Sequence, residues 1–213
     1  MWGIKRVRNQ HPVSHLGRRL TLLLLLGAVL GFVGSLGLNA IMSWCGLYFN
    51  TSQSLPYGLY QAQYRSGVSV GLFDLEFRER ELVPMALERG DLVLLCLPPE
   101  VAAQALARNY INAGKCSGQA APVGKYVAAV PGDVVEFSLK GVKVNGVTLP
   151  QSAALARDGA GSDMPRPAVA SPDVVAPGAY WVLNPLASSF DSRYFGPVPD
   201  AAIVAHLQPL LTF

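Results

Sequence analysis

The chain has 213 residues, of which 51% are hydrophobic and only 15% are charged. This length accommodates one domain of ordinary size plus a smaller element, and it excludes a large multidomain protein. The hydrophobic excess predicts a membrane segment. No Asp, Glu, Lys or Arg occurs between Arg19 and Arg65, and residues 20–44 are almost all apolar. We therefore predict a transmembrane anchor over residues 20–44, long enough to cross a hydrocarbon core of roughly 30 Å.

The net charge of +3 is unevenly distributed. The tail before the anchor contains Lys5, Arg6, Arg8, Arg18 and Arg19 and no acidic residue, which leaves 12 basic and 14 acidic residues in the remainder. The mildly acidic remainder argues against nucleic acid as a partner, whereas a basic flank is typical of the cytoplasmic side of an anchor. We predict a cytoplasmic basic tail over residues 1–19 and an exported domain over residues 45–213, as in a single-pass protein of the bacterial inner membrane with a periplasmic domain.

A cleaved signal peptide is the alternative interpretation of the apolar run, with Leu20–Val33 as its core. Leu38 and Ala40 match a small-x-small cleavage site poorly, and the apolar run continues beyond the length that a signal peptide needs. The sequence therefore favours a retained anchor.

The three cysteines differ in position. Cys45 lies at the outer edge of the anchor, whereas Cys96 and Cys116 lie in the exported domain, where an oxidising compartment would allow them to pair. The alternative is that each is a small buried apolar residue. No Cys-x-x-Cys or Cys/His cluster occurs, so the sequence predicts no metal site, and nothing in it indicates a cofactor.

The segment after the anchor, residues 48–64, is uncharged, and Pro56 and Gly58 favour an extended or turn conformation over a helix. The apolar run Leu92–Leu97 predicts a buried strand. Residues 100–112 have the i, i+4 apolar spacing of a helix and end before Gly114.

Strands are predicted through the rest of the chain, at residues 125–130, 134–137, 142–144, 147–149, 180–183 and 203–207. Asn145-Gly146 is a strong type I′ hairpin signal. Residues 150–178 are rich in Ala, Ser, Asp, Pro and Gly, which indicates a long loop. The pattern predicts a mainly β, antiparallel domain with one short helix and one N-terminal transmembrane helix.

Three short segments contain polar residues that strands and turns do not require. The first is Thr51-Ser52-Gln53-Ser54-Leu55-Pro56-Tyr57-Gly58-Leu59-Tyr60, just after the anchor. The second is Lys125-Tyr126-Val127-Ala128-Ala129-Val130-Pro131-Gly132-Asp133, in which a lysine begins an apolar strand. The third is Ser188-Ser189-Phe190-Asp191-Ser192-Arg193-Tyr194-Phe195-Gly196-Pro197-Val198, near the C-terminus.

In order and spacing these segments, with Gly90-Asp91-Leu92-Val93, resemble the conserved boxes of the type I signal peptidases. The Ser-Leu-Pro-x-Gly-Leu-Tyr run resembles the TraF branch, whose members act in conjugative transfer. The resemblance implies a signal-peptidase-like β fold, Ser54 as nucleophile and Lys125 as general base. It also implies an oxyanion site formed by Ser52 and the Ser54 backbone N–H, and supporting roles for Ser189, Asp191 and Arg193. Leu183-Asn184-Pro185-Leu186 departs from the Gly-Asp-Asn-Arg of housekeeping enzymes, so the way this loop is braced does not carry over.

The residues also support this chemistry without the resemblance. A serine hydroxyl needs a base within hydrogen-bond reach. Lysine serves as that base only when neutral, and burial among apolar side chains depresses its pKa. Val127, Ala129 and Val130 surround Lys125 in the sequence and would provide such burial. A Ser54/His206/Asp191 triad is the formal alternative, and it is disfavoured because His206 lies in an apolar strand.

The resemblance implies a membrane-bound preprotein as the partner, cut after small residues. For the TraF branch it implies a pilin precursor, which some systems join head to tail into a ring. Two alternatives stay open from the sequence. One is a housekeeping signal peptidase, and the other is a non-catalytic component of a pilus or secretion assembly.

Overall fold

The computed structural model describes residues 15–70, 75–77 and 85–213. The chain divides into two compact units, Met1–Ile41 and Met42–Phe213. Residues 1–14, which make up most of the predicted cytoplasmic tail, lie outside the described residues.

Helix α1, His15–Trp44, contains a 20-residue stretch, Arg19–Leu38, that is long and apolar enough to cross a membrane. Its mean hydropathy is 2.2, and its leucine, valine and phenylalanine side chains are exposed on every face. A helix that is apolar all round needs an apolar environment on every side, which a lipid bilayer supplies. This segment is the candidate anchor.

The second unit is mainly antiparallel β structure. Its strands are β1 (Leu47–Asn50), β2 (Gly58–Tyr64), β3 (Val68–Val70), β4 (Leu75–Phe77), β5 (Leu92–Leu95), β6 (Val123–Ala129), β7 (Val134–Ser138), β8 (Gly141–Val144), β9 (Val147–Thr148), β10 (Asp173–Val174), β11 (Ala179–Leu183), β12 (Val198–Pro199) and β13 (Ile203–Thr212). Two short helices accompany them, α2 (Pro99–Ala107) and α3 (Ser192–Phe195). The predicted fold class, mainly β and antiparallel, is confirmed, and α3 is an addition that the sequence did not indicate.

Seven of the described strands form one sheet in the order β1-β2-β13-β5-β6-β11-β12. The central strand β5 is buried at all four residues, as expected of an apolar run without alternation. Strand β6 pairs with β5 and with β11, so Lys125 lies opposite Val93 in the interior of the sheet. This position explains how a lysine can be buried in an antiparallel domain.

A second sheet, in the order β10-β7-β8-β9, follows the turn at Pro131-Gly132-Asp133. Gly132 has φ +90°, a conformation that favours glycine. The buried Asp133 carboxylate accepts the Val130 N–H at 2.9 Å, pairs with Arg89 and accepts a hydrogen bond from Asn145. The acidic residue of this motif therefore holds the turn between the two sheets.

The predicted helix over residues 100–112 is too long at its C-terminal end. Helix α2 ends at Ala107 because Asn109 takes φ +56° and the Tyr110 N–H returns to the Ala105 carbonyl. The chain thereby leaves the helix axis, and Tyr110 to Asn112 reach a cavity in the domain. Strand β13 is longer than predicted, and it pairs with β2 as far as Thr212.

Candidate active site

Ser54 lies in the loop that joins β1 to β2, and the Cα atoms of Asn50 and Gly58 face each other where the loop leaves the ladder. Gly58 has φ +148°, and a Cβ atom there would lie 2.0 Å from the Leu211 carbonyl oxygen of β13. The loop therefore closes at a position that only glycine can occupy. Its serines face a cavity of about 500 Å³.

Ser52, Ser54, Lys125 and Ser189 all line this cavity, so the fold brings together the predicted nucleophile, base and oxyanion donor and one of the predicted supporting residues. Tyr110, Ile111, Val123, Leu186 and Phe190 form apolar parts of its wall. Within the described residues no hydrogen bond joins Ser54 to Lys125 directly. The Ser54 hydroxyl instead lies 3.0 Å from the Ser52 hydroxyl. Catalytic hydrogen bonds are often long or unformed in structures without substrate.

Lys125 is 4% exposed. Burial lowers the pKa of its ammonium group from the ordinary 10.5 to about 8, Asp191 opposes this change by attracting the proton, and Arg193 adds to it by repulsion. A pKa near 8 leaves about a tenth of the side chain neutral at pH 7. The side chain thus meets the electrostatic requirement for a lysine base.

Ser189 accepts a hydrogen bond of 2.6 Å from Lys125 Nζ and is itself buried. It precedes Asp191 by two residues, in the turn that leads into α3. This contact fixes the direction of the ammonium group, because a flexible four-carbon stem otherwise has many rotamers. Ser189 therefore has the geometry of a residue that orients Lys125.

Asp191 and Arg193 form a fully buried bidentate ion pair, with the Arg193 Nε and Nη2 at 2.8 and 2.6 Å from the two carboxylate oxygens. Arg193 also donates to four backbone carbonyls, those of Gln151, Ala153, Asn184 and Leu186. The pair therefore fastens the loop before α3 to the start of the long 150–178 loop. Its geometry is that of a structural support.

Asn184 occupies the stretch in which the sequence departs from the housekeeping pattern. Its side chain accepts the Tyr126 N–H at 3.3 Å and donates to the Gly124 carbonyl at 3.1 Å. These two backbone groups flank Lys125 in β6. Asn184 therefore braces the lysine-bearing strand from β11, a role that no pattern in the sequence indicated.

The triad alternative is not assembled in this structure. His206 pairs with Val93 in β13 and lines a different cavity together with Asp91 and Gln63. Asp191 directs both carboxylate oxygens at Arg193 and at the Asn184 N–H. Neither residue orients the other.

Cys96 and Cys116 are joined by a disulfide, and Cys45 is an exposed free thiol. Cys96 follows β5, and Cys116 belongs to a small loop that is closed by the Ala113 and Ala120 bridge. The ends of this loop, Asn112 and Ala121, line the cavity. The disulfide therefore ties one wall of the candidate active site to the central strand.

The described residues contain no group of three or more His, Cys, Asp or Glu side chains that could hold a metal ion.

The chain belongs to the signal peptidase family S26, whose family model matches residues 48–211. It is 38% identical over 200 residues to a conjugal transfer protein TraF of Agrobacterium tumefaciens, covering 92% of this chain and 97% of that protein. It is 34% identical over 170 residues to a plasmid transfer protein TraF of Escherichia coli, covering 79% of this chain and 84% of that protein. The resemblance to signal peptidases and to their TraF branch is thereby confirmed.

Among solved structures, a signal peptidase I of Enterococcus faecalis is 24% identical and covers 59% of this chain and all of its own length. The TM-score of 0.35 marks a distant likeness.

Proposed function

We propose that this chain is a membrane-anchored serine endopeptidase that cleaves a membrane-bound preprotein, with Ser54 as nucleophile and Lys125 as general base. The observation that carries the proposal is the burial of Lys125 in the cavity that Ser54 also lines, with a pKa lowered to about 8. A solvated lysine in this position would be almost entirely protonated at pH 7 and unable to accept the serine proton.

In the proposed reaction neutral Lys125 accepts the proton of the Ser54 hydroxyl as Oγ attacks the scissile carbonyl. The carbonyl oxygen becomes an oxyanion, which the Ser54 backbone N–H and the Ser52 hydroxyl stabilise. Lys125 then gives its proton to the leaving amine, which completes the acyl-enzyme. A water or a second amine then attacks the ester carbonyl and loses a proton to Lys125, which passes this proton to Ser54 Oγ as the bond from Oγ to the carbonyl carbon breaks.

Ser189 and the Asp191–Arg193 pair act on this cycle indirectly. Ser189 holds Lys125 Nζ in one direction, and the ion pair holds the loop that carries Ser189. The negative charge of Asp191 also keeps the Lys125 pKa from falling further. A base with a pKa near 8 accepts a proton efficiently at neutral pH and also releases it again.

The substrate class is proposed from the family and from the anchor. A signal peptidase acts on preproteins held at a membrane, and the candidate span Arg19–Leu38 would keep the enzyme there. The names of its relatives refer to conjugal and plasmid transfer, which supports a pilin precursor as substrate, with head-to-tail joining as one fate of the acyl-enzyme. We propose the topology given above for residues 1–19, 20–44 and 45–213, with the domain in the periplasm.

The test is cleavage of a pilin precursor from the same transfer system by the full-length chain in detergent. Ser54→Ala and Lys125→Ala should each abolish cleavage, whereas His206→Ala, outside the cavity, should retain it. Trapping of the substrate's acyl fragment on Ser54, read by mass spectrometry, identifies the nucleophile. A chain that binds the precursor without cutting it would instead support the non-catalytic alternative. Cleavage of general secretory preproteins at equal rates would support a housekeeping enzyme.

A further inference from the structure

The side chain of Asn50 makes five hydrogen bonds to the loop that carries Ser54. Its Nδ2 lies within 2.9–3.1 Å of the carbonyl oxygens of Ser52, Leu55 and Pro56. Its Oδ1 accepts the Ser52 N–H at 3.1 Å and the Ser52 hydroxyl at 2.7 Å. Carbonyls on one side and donors on the other fix the orientation of the amide, because only that orientation satisfies both sides.

This network also fixes the direction of the hydroxyl protons. An amide oxygen can only accept, so the Ser52 hydroxyl donates its single proton to Asn50 Oδ1. In the 3.0 Å contact between the two serines, Ser54 is therefore the donor and Ser52 the acceptor. Without substrate, a chain of hydrogen bonds runs from the Ser54 hydroxyl through the Ser52 hydroxyl to Asn50 Oδ1.

We propose that Asn50 is a positioning residue for the reaction, acting through Ser52 and the backbone of the Ser54 loop. This inference rests on the proposed function of Ser54 and Ser52. Asn50 holds the Ser52 hydroxyl at a set place beside Ser54, and the proton of Ser52 turns from Asn50 Oδ1 to the oxyanion when that charge forms. The three carbonyl contacts hold the loop while this rearrangement occurs.

A purely structural role for Asn50 predicts different rates from a positioning role. If Asn50 acts partly through the Ser52 hydroxyl, its removal matters less once Ser52 has lost that hydroxyl, and a double-mutant cycle in kcat/KM detects this non-additivity. Ser52→Ala should lower kcat about 100- to 1000-fold. Asn50→Ala should lower kcat about 100-fold, since misplacement of a reacting group by about 1 Å has an effect of that size. The double variant should be slower than Ser52→Ala, because the backbone contacts of Asn50 are also lost, but by clearly less than a further factor of about 100.

Asn50→Asp tests the contacts of the amide nitrogen separately from those of the amide oxygen. It retains an acceptor for Ser52 but turns an oxygen toward the three carbonyls, so it should be at least as slow as Asn50→Ala. Asn145→Gly is the matched control. The Asn145 side chain also holds a turn, because its Oδ1 accepts the Val134 N–H and its Nδ2 donates to the Asp133 carboxylate. Glycine suits the φ of +50° at this position. This control should lower thermal stability and leave kcat near that of the natural chain.

The experiment measures kcat/KM, its pH profile and thermal unfolding for the full-length natural chain and these variants on one precursor peptide. We expect the effects of the Asn50 and Ser52 variants on the rate to be non-additive. The rise of the rate with pH should keep its apparent pKa, because the Lys125 contact with Ser189 is intact in these variants. Should Asn50→Ala not fold, Asn50→Ser enters the same cycle. The inference would be overturned if the rate losses of the two single variants multiplied in the double variant, or if Asn50→Ala or Asn50→Asp cleaved as fast as the natural chain. It would also be overturned if any Asn50 variant shifted the pH at which the rate rises. A natural chain inactive on every precursor would instead contradict the proposed function.

Discussion

A Cβ atom on Gly124 would lie 2.6 Å from Cδ1 of Leu55 and 3.1 Å from Cδ1 of Leu207. Gly124 precedes Lys125, and Leu55 follows Ser54, so this contact seats the nucleophile loop against the strand that carries the lysine. Leu55 is buried and cannot move aside without repacking. The missing side chain at position 124 thus sets the separation of the Ser54 loop and the Lys125 strand.

Gly124→Ala should displace Leu55 and lower kcat by at least tenfold while the domain remains folded, because small errors in the placement of a nucleophile are costly. The compensating variant Gly124→Ala/Leu55→Val removes the Cδ1 atom that the new methyl group meets, and it should recover part of the lost rate. Cleavage kinetics of both variants make the comparison. Equal loss of rate in both would contradict the seating of Leu55 on Gly124.

Lys125→Met should abolish cleavage and stabilise the domain at pH 7. Between its folded pKa of about 8 and its ordinary 10.5, Lys125 binds fewer protons in the folded than in the unfolded state, so its contribution to stability rises with pH. Below pH 8 it destabilises the fold by about 3 kcal/mol, and loss of the Ser189 hydrogen bond in the variant offsets about 1 kcal/mol of the gain. Urea unfolding should show a net gain of about 2 kcal/mol at pH 7 that shrinks toward pH 10. A gain that grows with pH would contradict a depressed pKa.

Asp191→Asn should cost about 3–5 kcal/mol of unfolding free energy, because it leaves the buried Arg193 charge without its partner. It should also lower the Lys125 pKa further, since Asp191 raises it. The matched control is Asp163→Asn, which breaks an ion pair with Arg157 whose side chains are 84% and 70% exposed, and which should change stability by less than about 1 kcal/mol. Thermal and urea unfolding compare the two, and similar losses would contradict a structural role for the buried pair.

Mass spectrometry of the unreduced protein, purified in detergent, should find Cys96 linked to Cys116, with Cys45 free. The pair closes a chain separation of 20 residues, so the Cys96→Ala/Cys116→Ala variant should lose about 3 kcal/mol of unfolding free energy. Cys45→Ser is the control and should unfold at the same urea concentration as the natural chain. Two free thiols in the domain would contradict the pairing.

The sequence predicted the β class and the segments of the site because both depend on local patterns. The Asn145-Gly146 hairpin signal matches the pairing of β8 with β9, and the apolar run at Leu92–Leu97 matches β5 apart from its last two residues. The grouping of Ser52, Ser54, Lys125 and Ser189 around one cavity was predictable because their order along the chain matches a family pattern.

The remaining contacts depend on tertiary packing. Asn184 reaches Gly124 across 60 residues of sequence, and no periodicity reports such a contact. Asn50 ends a short strand beside the loop, where an Asn ordinarily signals only a turn. The early end of α2 depends on the left-handed conformation of Asn109, which helix propensity does not register.

The most direct test of the Ser54/Lys125 dyad is the pH dependence of kcat/KM for cleavage by the full-length chain between pH 6 and pH 10. In the proposed dyad neutral Lys125 is the reactive form, so the rate should rise with pH and level off with an apparent pKa of about 8. Lys125→Ala should be as inactive as Ser54→Ala, because the proposed dyad acts as a unit, and Lys125→Arg should be inactive because a guanidinium group stays protonated throughout this pH range and cannot act as a base. A rate independent of pH over this range, or cleavage by Lys125→Ala, would contradict the dyad.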